Sequence, residues 1–134
     1  MNKASAIPAR KGIRLSFEFF PPKSVEAEGQ LWETAAELSA YRPGFMSVTY
    51  GAGGSTKAPT LATVRQLLKM GLPAASHLTC VGATKEEVHA VVAEFQAVGV
   101  KHFVALRGDP PGGVGAAYQP HPGGYANAAE LVAG

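Results

Sequence analysis

The chain has 134 residues, 46% of them hydrophobic, enough to bury one sizeable core. Twelve Lys+Arg against ten Asp+Glu leave a net charge of +2 with no basic run, which argues against nucleic acid or an anionic membrane as a partner. Cys80 is the single cysteine, Met1–Arg14 lacks the apolar core of a signal peptide, and no stretch nears the roughly 18 apolar residues of a membrane span; a cytoplasmic globular protein is expected.

Residues 1–13 read as an N-terminal extension, and 14–134 as part of a single domain. Arg14–Phe20 (RLSFEFF) reads as a strand. Ser24 is a plausible cap for a helix over Ser24–Ser39 with Leu31, Trp32, Ala35 and Leu38 on one face. Phe45–Tyr50 predicts a second strand, followed by the glycine-rich turn Gly51–Thr56. Thr60–Met70 carries Leu61, Val64, Leu67 and Leu68 at helical spacing and stops at Gly71. Ala74–Cys80 is a third strand. Thr84-Lys-Glu-Glu87 is a capping box opening a helix to about Val98, with Gly99 as its stop. Val100–Arg107 is a fourth strand, Asp109–Gly124 a Pro/Gly-rich loop, and Asn127 a helix start.

The order β-α-β-α-β-α-β-loop-α is that of a parallel α/β sheet, either doubly wound or part of a (β/α)8 barrel. Glu18, Thr49, His77 and Arg107 each fall at or near the C-terminal end of a strand, at intervals of about 30 residues, the length of one β/α unit. Polar side chains in that position build barrel active sites, so the barrel is favoured. Since a full barrel takes about 250 residues, only its first four or so units are expected here.

Strand alternation places Leu15, Phe17 and Phe19 under the helices and Glu18 on the opposite face. A carboxylate among Phe17, Phe19, Phe20, Pro21 and Pro22 is expected to be partly desolvated, with a raised pKa suited to a general acid. The alternative is a structural ion pair with Arg107 or Lys23. The turn Gly51–Thr56 resembles a phosphate-cradling loop but lacks the full glycine pattern and the P-loop lysine. His77 in an apolar strand is more often a satisfied core histidine than a ligand. Glu18, His77 and Asp109 match no zinc spacing, leaving a metal-dependent barrel hydrolase as a weak alternative. Asp109 leaves the fourth strand at the barrel mouth, and His89 and His102 read as surface or packing residues.

Together, Ser16-Phe-Glu-Phe-Phe-Pro-Pro22, Ser47-Val-Thr-Tyr-Gly-Ala52, His77-Leu-Thr-Cys80 and Ala105-Leu-Arg-Gly-Asp109-Pro closely resemble the methylenetetrahydrofolate reductases, in the family's order and spacing. The resemblance implies the N-terminal half of a (β/α)-barrel enzyme. FAD is its cofactor and NAD(P)H its reductant, and it reduces 5,10-methylenetetrahydrofolate to 5-methyltetrahydrofolate. It also implies that Glu18 is the general acid that opens the folate's five-membered ring, and that Asp109 lies near both flavin and pterin. Thr49 would contact nicotinamide, and Tyr50, Ala52, His77, Arg107, Gly108 and Ala126 would line the flavin. A homo-oligomer is expected of the complete enzyme, and a half-barrel alone is expected to be catalytically incompetent.

Overall fold

A computed structural model describes residues 12–50, 57–113 and 115–134. Four strands, β1 (Ser16–Phe19), β2 (Phe45–Val48), β3 (Ala74–Thr79) and β4 (Phe103–Leu106), form one parallel sheet in sequential order. Between them run α1 (Val25–Ser39), α2 (Lys57–Lys69) and α3 (Lys85–Ala97), and α4 (Ala128–Ala133) follows β4.

The helix ends obey local chemistry. Ser24 Oγ accepts from the Ala27 N–H at the start of α1, and Asn127 Oδ1 accepts from the Glu130 N–H at the start of α4. Thr84 and Glu87 close a reciprocal capping box on α3. Both α2 and α3 end in Schellman motifs. Gly71 and Gly99, at φ 76 and φ 102, donate to Leu68 and Gln96, while Leu72 and Val100 donate back to Leu67 and Phe95.

The strands are shorter than expected at their ends, and two boundaries move further, by three residues each. The α2 helix begins at Lys57 rather than Thr60, because Pro59 in a first turn forfeits no intrahelical bond. The β4 strand begins at Phe103 rather than Val100, because Val100 is committed to closing α3.

The core explains the choice between architectures. Phe19, Met46, Val48 and Ala74 from the sheet pack with Ala35 of α1, Val64 and Leu67 of α2, and Phe95 of α3. Leu78 and Cys80 continue the same face toward Val88 of α3 and Leu131 of α4. All four helices therefore cover one face, as right-handed crossovers between sequentially ordered strands require. A doubly wound sheet would divide its helices between both faces. The α/β arrangement is consistent with part of a β/α barrel. No described helix is long and apolar enough to cross a membrane.

Candidate functional site

The uncovered face carries the polar residues. Ladder pairing sets Glu18 of β1 beside Ser47 of β2, and Ser47 beside Ala75 of β3. His77 lies two residues further along β3, on the same face as Ala75. From there its imidazole reaches back across β2. Nε2 lies 3.1 Å from Glu18 Oε1 and 3.2 Å from Ser47 Oγ. Side chains from three strands thus meet in one polar cluster on the open face.

Burial differs sharply within it. His77 is 9% exposed and Ser47 4%, whereas the Glu18 side chain keeps 53% of its accessible surface. The Glu18 side chain is thus about half covered. Phe17 and Phe19 point into the helix-covered core and Phe20 is 77% exposed, so the flanking rings do not enclose the carboxylate. The alternative ion pair with Arg107 or Lys23 is not found among the described residues, where Glu18 meets His77 instead. Burial pushes the His77 pKa below the ordinary histidine value, and the nearby Glu18 carboxylate partly opposes that.

Thr49 and Tyr50 leave β2 at the same rim. The Thr49 N–H donates to the Phe19 carbonyl, and its own carbonyl accepts a 2.8 Å bond from Thr60 Oγ1. Thr60 is fully buried, so it ties the start of α2 to the end of β2. Tyr50 packs edge-on against Phe95, and burial raises its phenol pKa. Tyr50, Thr79, Val81, Ala83 and Val91 border a cleft of about 230 Å3 on the helix side of the rim. That is below the roughly 300–1,000 Å3 of ordinary ligand pockets. Ala52 and the turn Gly51–Thr56 lie outside the described residues.

At the end of β4, Arg107 and Asp109 are exposed. The Arg107 guanidinium stacks over the Tyr118 ring at 4.0 Å, and its Nε donates to the Gly108 carbonyl. The Arg107 carbonyl accepts from the Val81 N–H, extending the β3–β4 ladder. The Tyr118 hydroxyl is buried beside Cys80. Cys80 is itself buried, which raises its thiol pKa and makes it a poor nucleophile.

The loop after β4 is seated by Gly123 and Gly124. The Gly123 carbonyl accepts from Lys85 at the head of α3, and a side chain at Gly124 would strike the Ala83 carbonyl. Ala126 follows, with its N–H bonded to Glu130 Oε2 at 2.8 Å. His89 and His102 are exposed, as expected, and His89 bonds the Tyr125 hydroxyl at 2.7 Å.

Glu18 and His77 therefore meet, while Thr49, Tyr50, Arg107, Gly108 and Asp109 fall along the same C-terminal rim. Among the described residues no three His, Cys, Asp or Glu side chains gather as a metal would require. Ser47 and Tyr118 are site residues that sequence reasoning missed. Ser47 could have been found by alternation, since it shares a face with Thr49 and pairs with Glu18. Tyr118 sits in an irregular loop, where no periodicity marks it.

Comparison with known proteins identifies the family. The family described as methylenetetrahydrofolate reductase matches residues 3–134. The 5,10-methylenetetrahydrofolate reductases of Salmonella typhimurium and Escherichia coli are each 43% identical over 104 residues, covering 77% of this chain and 35% of the relative. Methylenetetrahydrofolate reductase (NADH) 1 of Arabidopsis thaliana is 34% identical over 133 residues, covering 98% of this chain and 22% of that protein. The chain thus spans about a third of the length of its bacterial relatives. With the four rim segments in register on one sheet and the family matched along nearly its whole length, the chain belongs to the methylenetetrahydrofolate reductase family.

Proposed function

We propose that this chain supplies the first four β/α units of a (β/α)8-barrel reductase, and that its open face is one wall of the site where 5,10-methylenetetrahydrofolate becomes 5-methyltetrahydrofolate. The observation that carries this reading is the Glu18 carboxyl, held by His77 on that face and half exposed.

FAD fits the residues present. Arg107 is exposed and offers a guanidinium for an anionic, electron-rich group, and the open face near the end of β4 is partly apolar at Leu106. When bound, FAD supplies the hydride, drawn from NAD(P)H, that reduces the folate. Tyr50, Ala52, His77, Arg107, Gly108 and Ala126 line the flavin in this proposal, and Thr49 contacts the nicotinamide. Glu18 gives a proton to the folate ring nitrogen, opening the five-membered ring. Asp109, exposed at the rim, accepts hydrogen bonds from the pterin amino groups and disfavours negative charge on the neighbouring ring system.

A second reading, a half-barrel without turnover of its own, is favoured by the 35% coverage of the bacterial relatives. One titration tests whether these four strands hold flavin. FAD is added to the purified chain, flavin fluorescence is followed, and the desalted protein is inspected for a structured visible band. Quenching with retained colour supports a flavin wall assembled by these four strands. Flavin lost entirely on desalting, without quenching, contradicts it and leaves the second reading.

A further inference from the structure

We propose that His77 is a positioning residue for Glu18: together with Ser47 it pins the carboxyl over β2 and donates its Nε2–H to the carboxylate that Glu18 becomes. This rests on reading Glu18 as the proton donor.

Hydrogen-bond chemistry selects the direction. An ionised carboxylate only accepts, so the nitrogen facing it at 3.1 Å must carry the hydrogen. Ser47 Oγ, 3.2 Å from the same nitrogen, then accepts the second branch of that bond. Rigidity selects which partner positions which. The imidazole is wedged into the sheet at 9% exposure, whereas Glu18 is a flexible side chain half in solvent. The buried ring therefore orders the exposed carboxyl, rather than the reverse.

The consequence for proton transfer follows from charge. When Glu18 passes its proton to the substrate nitrogen, the Glu18 O–H bond breaks, an N–H bond forms, and the carboxyl becomes anionic. A hydrogen bond to an ion is stronger than one to a neutral acid, so the Nε2–H contact gains strength as the proton leaves. The burial that disfavours imidazolium keeps His77 neutral in this role. Glu18 is the charged group acting on the ring; Ser47 on β2 and Val104, paired with His77 on β4, do not titrate between pH 5 and 8.

The test uses the intact chain with 15N-labelled histidine. Long-range 1H–15N spectra read which ring nitrogen of His77 carries the proton, and the signal is assigned by its loss in His77→Gln. At pH 7.5 a neutral ring protonated on Nε2 is expected, and Ser47→Ala is expected to preserve that tautomer. In Glu18→Gln the His77 titration midpoint is expected to fall by roughly half a unit, because the attraction to a carboxylate is gone. Glu18→Asp, which keeps the charge but shortens the reach, provides the second variant should Glu18→Gln fail to fold. A ring protonated on Nδ1, or a midpoint that neither Glu18 variant moves, overturns the proposal. Since no flavin is added, failure here is distinguishable from failure of the flavin titration.

Discussion

Gly108 sits just past the end of β4, at φ 87, where an L side chain is strained whatever its size. A Cβ there would also collide with Val81 Cγ1, and it would lie 3.1 Å from Thr79 Cβ. Gly108→Ala is therefore expected to cost about 2–4 kcal/mol, combining a left-handed backbone with overpacking, as measured by denaturant unfolding. His77 makes a second prediction. Its folded pKa lies below the ordinary value of 6.5, so the unfolded chain takes up the proton first as pH falls. Stability is then fully present above about pH 6.5 and declines as pH drops toward the folded value. Unfolding midpoints measured from pH 7.5 to pH 5.5 should fall for the native chain and fall less for His77→Gln. A native chain no less stable at pH 5.5 contradicts the assignment. Glu18 marks the limit of reading at this scale. Alternation placed it on the open face correctly, but the same alternation turns Phe17 and Phe19 away from it. Adjacency in sequence had suggested a shelter that a strand cannot provide.

Helix boundaries belong to the element scale, and most were legible because they are written in single residues. Ser24, Thr84 and Asn127 cap helices, and Gly71 and Gly99 end them, all by bonds within a few residues. What was not legible depends on competition between neighbours. Val100 looks like strand but closes α3, and Pro59 looks like a breaker but lies inside α2. The caps carry measurable weight. Thr84→Ala removes one half of the capping box and should destabilise by about 1 kcal/mol. Gly99→Ala leaves its Cβ only an ordinary 3.7 Å contact with Leu68 Cδ1, so its cost of about 1 kcal/mol is conformational. If equilibrium unfolding finds both variants as stable as the parent, the local account of α3 is wrong.

At the scale of the molecule, one sheet face is sealed by four helices and the other is open. Phe20, Phe45 and Leu106 stand on that open face at 77%, 41% and 39% exposure. The outer edges of β1 and β4 have no strand partner among the described residues. Unpaired edges flanking exposed apolar side chains invite pairing with another chain. Concentration-dependent association in sedimentation velocity is therefore expected, and a monodisperse monomer across a hundredfold range of concentration would contradict it. The parallel α/β arrangement itself was legible from the alternation of strand and helix patterns. The joint contact of Glu18, Ser47 and His77 was not, because it depends on the offset between strands, and offset leaves no mark on spacing.

The proposed flavin wall, the C-terminal rim of this open face, is read out by backbone 1H–15N spectra of the chain with and without FAD. Shifts concentrated at Thr49, Tyr50, His77 and Arg107–Asp109 are expected, with the helix-covered core nearly unmoved. Shifts confined to the outer surfaces of α1–α3, or none at saturating FAD, would contradict it.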